Sequence, residues 1–329
     1  MNNSTLKALL KEYEQSRLEK ELLLEKKLND FYEKNPDVSS IVEKINRTSI
    51  EISKNILLNK DQKKQKELEL ILEKYKKEKQ LLLKKLNISD DFFLPDYSCK
   101  LCNDTGYLVN NSTIMCSCLK QKLLNIEYNR SNISSLEKEN FNTFDFSVFS
   151  NNADEKKYNS NISPRENMKK IRKICEDFIQ NFDDPKEKNL LFTGNTGLGK
   201  TFLTNCIANE LLKSGKTVLY QTSPVMLDSI LDYRFGKNNN FNYSDLLSVD
   251  LLIIDDLGTE SLNNMKFSEL FNILNTRLLN QNHHITKTII STNLSLNNLF
   301  KTYDERISSR LAGYYNICKF FGDDIRLKK

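Results

Sequence analysis

Apolar residues recur along this chain in two rhythms, and the change from one to the other divides it. Over residues 1 to about 90 there is no glycine and a single proline, Pro36, while Leu9, Leu10, Tyr13 and Leu18 fall near helical spacing. Further on, Ile41, Ile45, Ile52 and Ile56, then Leu68, Ile71, Leu72 and Tyr75, keep that spacing in a background of Lys and Glu. Good helix formers patterned in this way predict amphipathic helices interrupted around Asn35-Pro36. The polar stretch from Asn59 to Lys66 admits two readings: a turn between antiparallel helices, or an exposed part of one long helix. The apolar stripe either packs on itself or docks a partner by helix packing. Acids interleave the lysines at 63, 64, 66, 76, 77 and 79, which argues against a phosphate-binding face.

From residue 190 the rhythm changes. Short apolar runs at Leu190–Thr193, Thr217–Gln221, Leu251–Asp255, Thr288–Thr292 and Ile317–Phe321 alternate with helical patterns. Strands of this kind, buried on both faces and separated by helices, predict an α/β domain with a five-stranded parallel sheet. A helix over Pro164–Phe182 feeds the first strand.

The first run opens onto Gly194-Asn195-Thr196-Gly197-Leu198-Gly199-Lys200-Thr201, which fits G-x-x-x-x-G-K-[ST] without a mismatch. Glycines let the backbone turn tightly against an anion, so that successive N–H groups point at phosphates, and the following helix adds its positive end. Lys200 is expected to reach the β- and γ-phosphates and Thr201 to ligate magnesium. The third run, Leu251-Leu252-Ile253-Ile254, ends in Asp255-Asp256 at the strand's C-terminal end, where ligands bind in open α/β sheets. Asp255 is placed to hold magnesium, and Asp256 to orient and deprotonate an attacking water. Asn293 ends the fourth run, where it either senses the γ-phosphate or caps the turn before Ser295. Arg306 and Arg310 lie four apart on one helical face, suited to a phosphoryl group or to surface pairing with Asp304 and Glu305. Arg326 follows near the end.

Four of the seven cysteines cluster as Cys99-x-x-Cys102 and Cys116-x-Cys118. Two such pairs suit a closed tetrahedral zinc site of the structural kind, ahead of a redox pair or an iron–sulfur cluster. Cys175, Cys206 and Cys318 lie in apolar patterns and are expected in a core. Beyond the cysteines, turn-rich residues 129–161 are punctuated by Phe141, Phe144, Phe146 and Phe149, which suggests a linker pinned to a domain surface, with the rings beside a nucleotide base.

Net charge is only +5, so any nucleic-acid contact must come from a local patch. Lys266, Arg277 and Lys301 are scattered candidates. No window approaches the roughly 18 to 20 uncharged apolar residues of a membrane span, and the charged beginning is not that of a signal peptide; a cytoplasmic chain with no membrane partner is expected.

Together, LLFTGNTGLGKTFL, LLIIDDLGTE, IISTNLS, DERISSRL and GDDIRLKK, with CKLCNDTGY…CSCLK ahead of them, resemble the AAA+ ATPases and in particular the bacterial replicative-helicase loaders of the DnaC/DnaI type. The resemblance implies a helical partner-binding arm over 1–94, a four-cysteine zinc knuckle over 95–128, a linker over 129–160 and an AAA+ ATPase domain over 161–329. It implies that Asn293 takes the first sensor position, Arg310 the arginine-finger position and Arg326 that of a terminal sensor arginine. Arg306 matches a family arginine of open role. Asp256 stands where most AAA+ proteins have Glu, which suggests slow or partner-dependent ATP hydrolysis. The partners implied are the hexameric replicative helicase, single-stranded DNA and further copies of the chain in an AAA+ oligomer. The usual AAA+ helical lid is expected to be missing, as in these loaders and in the IstB-type transposition helpers. Such a helper, or a zinc-and-coil adaptor with a structural nucleotide site, are the alternatives.

Overall fold

The computed structural model describes residues 3–58, 62–109, 113–127, 138–237, 241–261, 263–280 and 284–328. Tyr128 and positions 129–137 of the expected linker lie outside the described residues. The chain divides into two compact units, Leu10–Leu108, and Val109–Lys329 with Met1–Leu9.

In the first unit, helix α1 (Asn3–Lys34) ends at Asn35, and Pro36 opens α2 (Pro36–Leu57) at its first position, where a missing N–H costs nothing. Helix α3 (Gln62–Lys85) follows. Helices α2 and α3 form an antiparallel hairpin. Val38 meets Leu83 at one end, and Lys44 lies 5.8 Å from the Tyr75 ring farther along. Antiparallel pairing excludes one long helix; Gln62–Lys66 already belong to α3, and positions 59–61 lie outside the described residues. Phe31, Phe92 and Phe93 close the end of the hairpin, with ring centroids 5.1 to 5.9 Å apart. Leu22, Leu23, Leu57 and Leu70 stay exposed.

In the second unit, α4 (Ser117–Glu127) is tied to the sheet by Gln121, which donates to the Val218 carbonyl at 2.9 Å and accepts from the Val218 amide at 2.7 Å. Helix α5 (Pro164–Gln180) begins with a reciprocal Ser163–Glu166 capping box and a proline in its first turn. Strands β3 (Asn189–Thr193), β4 (Val218–Thr222), β5 (Leu251–Leu257), β6 (Lys287–Thr292) and β7 (Tyr315–Lys319) pair in parallel, in the order β4-β5-β6-β3-β7. The α/β class and the five-stranded parallel sheet are therefore as expected; the first two strands, Tyr107–Val109 and Thr113–Met115, make a separate ribbon. The last strand starts two residues before the expected run because Tyr315 already pairs with Asn189.

Alternate residues feed two cores. Leu190 and Phe192 join Phe178, Leu203 and Ile253 on one face, while Leu191 joins Ile254, Leu270 and Ile290 on the other. Helices α6 (Lys200–Lys213), α7 (Ser223–Arg234), α8 (Tyr243–Ser248), α9 (Asn264–Asn280), α10 (Leu296–Thr302) and α11 (Glu305–Tyr314) complete the unit. Cys175, Cys206 and Cys318 are buried, and burial pushes their thiols upward, Cys206 and Cys318 to about 12, which makes them inert core residues.

Two of the three positions considered for nucleic-acid contact are corrected. Arg277 is 1% exposed and Lys266 5%. Arg277 instead ties together the backbone of the strand and loop ends, and Lys266 is bound to Asp228 at 2.7 Å. No described helix is long and apolar enough to cross a membrane.

Candidate functional site: a phosphate loop facing two acids

The fully buried strand β3 delivers the chain to Gly194, where a Cβ would stand 2.3 Å from the Phe320 carbonyl oxygen, so only glycine fits. The loop turns again at Gly197 (φ 70°) and Gly199 (φ 88°), and α6 begins directly at Lys200. The first N–H groups of a helix have no helical partner, and a helix start of this kind favours an anion.

Lys200 is 6% exposed. Its ammonium donates to the carbonyls of Gly194 at 2.6 Å and Asn195 at 2.7 Å and to Asn293 Oδ1 at 2.7 Å. All three donors are thus engaged. Burial still holds its pKa below the ordinary lysine range, opposed by the fields of Asp256 and Asp255. Asn293 donates in turn from Nδ2 to Asp256 Oδ1 at 3.4 Å, so the sensor candidate bridges lysine and acid.

The two acids are separated by a local irregularity. Ile254 pairs with Ile290 and Leu257 with Thr292, so Asp255 and Asp256 together face the single residue Ser291. Such a bulge re-aims side chains at a strand end. Asp256 takes the left-handed conformation (φ 55°), which Asp tolerates better than most residues, and its amide donates to Ser291 Oγ at 3.1 Å. Asp255, 5% exposed, accepts from the Tyr220 hydroxyl and from the Ser291 hydroxyl, and Thr201 Oγ1 lies 3.4 Å from its Oδ2. Burial and the neighbouring Asp255 charge hold the Asp256 carboxyl above the usual carboxylate range, opposed by Lys200 and Asn293. A threonine hydroxyl next to a fixed carboxylate is an oxygen donor set of the kind magnesium takes.

A cavity of ≈390 Å³ opens over the loop, and Asp256, Asn293 and Arg326 line it. Arg326 is held there by Asp324, at 2.7 and 3.0 Å. Asp324 itself packs on the loop: a Cβ at Gly197 would fall 1.8 Å from its carboxylate, and the Ile325 amide donates to the Gly197 carbonyl at 3.0 Å. Phe149 approaches from the other side, its ring tip 3.7 Å from a Cβ at Gly199, and stacks on Phe144 with centroids 5.9 Å apart. Arg310 is not brought to this cavity. It lies over the Phe271 ring at 5.1 Å and donates to Asn275 at 3.0 Å, while Arg306, 4.9 Å from the same ring, pairs with Asp304.

A family model described as IstB-like ATP binding protein matches residues 122–328, well over half of the chain. The chain belongs to that family. Within the IstB-like family region lie the phosphate loop, both acids, Asn293, Arg310 and Arg326. Among curated relatives, the replicative helicase loader DnaC of Escherichia coli (strain K12) is 29% identical over 146 residues, 44% of this chain and 56% of that protein. The chromosomal replication initiator protein DnaA of Wolinella succinogenes is 35% identical over 125 residues, 37% of this chain and 26% of that protein. Among solved structures, a crystal structure of the DnaC helicase loader aligns with a TM-score of 0.45 at 19% identity, over 57% of this chain and 99% of that one. The chain spans about half the length of the DnaC relatives it matches.

Outside the family region, the sulfur atoms of Cys99, Cys102, Cys116 and Cys118 all lie within 4.8 Å of one another, a donor set that fits one tetrahedral metal ion. The first cysteine turn is built on Asp104, 4% exposed, which accepts from the amides of Ser98 at 2.9 Å and Cys99 at 2.8 Å and from Lys20 at 2.6 Å. Motif reading missed Tyr220, Ser291 and Asp104. No local pattern marks them, since each acts on a residue distant in sequence or through its backbone.

Proposed function

We propose that the protein is an ATP-dependent loader of the hexameric replicative helicase onto single-stranded DNA, ATP binding and hydrolysis governing capture and release. The observation that carries the reading is the unbroken chain Lys200–Asn293–Asp256 along one cavity, with Thr201 at its wall backed by Asp255. In this reading the triphosphate displaces carbonyls from Lys200 and takes the amides of the phosphate loop. Thr201 and Asp255 hold magnesium, which when bound neutralises charge developing on the phosphates. Asp256 orients and deprotonates the water, Asn293 fixes it against the γ-phosphate, and Arg326 leaves Asp324 for the phosphates. Arg310, turned away from its own cavity, is offered to a neighbouring copy in an AAA+ oligomer. Zinc on the four cysteines staples a segment too small to bury its own core. Residues 1–94 form the partner-binding arm, 95–128 the knuckle, 129–160 the linker and 161–329 the ATPase domain.

Support comes from the family's ATP-binding description, the DnaC relatives' names and the cysteine cluster ahead of the nucleotide site. The test is capture of the full-length protein by the purified host helicase with ATP, with ADP and without nucleotide, followed by transfer of the helicase to a single-stranded oligonucleotide. No capture by the helicase, or capture and transfer that do not change with the nucleotide, would refute the reading. The family description also favours a transposition helper, and nucleotide-dependent capture by a transposase in place of the helicase would select it.

A further inference from the structure

The phosphate-loop cavity adjoins a larger one of ≈790 Å³, and the two share Glu139, Phe202, Ile325 and Arg326 in their walls. The larger chamber is lined in part by Phe149 and Val148, an apolar wall suited to a flat heterocycle. A nucleotide that sets its phosphates on Gly194–Thr201 and its base in that chamber must pass its sugar across the shared boundary. Two charged groups stand there. Arg326, positive, suits phosphate; Glu139, negative, repels phosphate and accepts hydrogen bonds from hydroxyls.

Glu139 is held in place. Asn205, 2% exposed on α6 one turn beyond Thr201, donates from Nδ2 to Glu139 Oε2 at 2.6 Å. The residue after it, Asn140, caps a short turn over Phe141–Thr143 by accepting from the amides of Asn142 at 3.0 Å and Thr143 at 3.1 Å, while Thr143 accepts from the Asn140 amide at 3.2 Å. The segment that carries Glu139 is thus fixed by a reciprocal cap and anchored to the helix that follows the phosphate loop. The carboxylate bond to Asn205 engages Oε2, and Oε1 is the acceptor left for a ligand.

We infer that Glu139 is a specificity-determining residue that accepts a hydrogen bond from a ribose hydroxyl, with Asn205 as its positioning residue, so that the site selects ribonucleotides over their deoxy counterparts. The inference rests on the nucleotide-binding reading above. A hydroxyl bonded to a fixed carboxylate in a partly buried site corresponds to roughly a tenfold preference.

Calorimetric titration of the full-length protein with ATP, 2′-deoxy-ATP, 3′-deoxy-ATP and inorganic tripolyphosphate, each with magnesium, tests it. In the wild type one deoxy analogue should bind roughly tenfold more weakly than ATP. Glu139→Ala should bind ATP as weakly as that analogue while keeping the wild-type affinity for tripolyphosphate, which shows the phosphate loop intact. Asn205→Ala should shrink the ATP-to-deoxy ratio in the same direction. A wild type that binds ATP and both deoxy analogues within about twofold, or a Glu139→Ala protein that keeps the wild-type ratios, overturns the role of Glu139 and leaves nucleotide binding standing. A wild type that binds tripolyphosphate but no ATP overturns both.

Discussion

Replacing Arg277 with methionine should destabilise the second unit by several kcal/mol without touching the phosphate loop. The guanidinium is the largest fully buried side chain among the described residues. It donates to the carbonyls of Leu246 at 2.8 Å, Val249 at 3.0 Å and Lys287 at 2.7 Å, to Asp250 at 3.4 Å and to Thr288 Oγ1 at 3.1 Å. Asp250 O has a second donor in the Lys287 amide. The carbonyls of Leu246, Val249 and Lys287 make the short bonds and lose most. An orphaned buried acceptor costs about 1 to 3 kcal/mol, so three give roughly 3 to 9, reduced by local collapse and by relief from burying a charge. That burial is real, since it pulls the guanidinium down to about 10. A net loss of about 4 kcal/mol is expected. Urea unfolding followed by tyrosine fluorescence and far-ultraviolet dichroism measures it. Arg277→Lys, which keeps the charge but offers one point donor in place of a planar fork, should lose a comparable amount. A loss below about 1 kcal/mol for Arg277→Met would refute the reasoning, because unpaired carbonyls cannot be that cheap in a dry core.

Three further outcomes follow from the site. Lys200→Met should weaken ATP binding by roughly a hundredfold in a fluorescent-nucleotide titration, the equivalent of two charge-assisted hydrogen bonds; unchanged affinity would remove the phosphate-loop reading. Tyr220→Phe deletes a donor to the Asp255 carboxylate, so the magnesium concentration needed for half-maximal ATP binding should rise about tenfold while magnesium-free binding stays put. Asp256→Asn keeps a side chain that tolerates a φ of 55°, so it should fold and bind ATP normally but lose hydrolysis by two orders of magnitude or more, as in removal of a general base. For the cysteines, elemental analysis of the purified protein should find stoichiometric zinc, and Cys102→Ser should release it and sharpen protease cutting between residues 95 and 120; intact zinc in that variant would disprove the ligand set.

What was legible in the chain follows from how local each signal is. Gly194 to Thr201 and Leu251 to Asp256 declare themselves because a loop, a strand and their chemistry are each contiguous, and the five apolar runs landed within two residues of the observed strands. Tyr220 and Ser291 were invisible because what matters about them is strand order, which puts β4 and β6 on either side of β5. The bulge at Asp255–Asp256 likewise exists only in the pairing of β5 with β6. Phe149 stood out as a ring pinning the linker beside a base, whereas Glu139 read as part of the polar linker since its neighbours are turn formers, yet a cap and a bond to Asn205 fasten it to the nucleotide cavity. Arg277 misled for the opposite reason: a cation on an amphipathic helix ordinarily faces water, and only the unpaired carbonyls around it explain its burial. The arm's polar centre could not by itself exclude one long helix, which only the antiparallel pairing of α2 with α3 rules out.

The close seating of Asp324 and Ile325 on Gly197 bears on how the protein should be handled at the bench. A bulky label placed on the exposed Leu327 would stand within a few residues of the nucleotide cavity and shield or tug it. Labels belong on residues away from that contact, and binding comparisons between differently labelled preparations will report on the label as much as on the site.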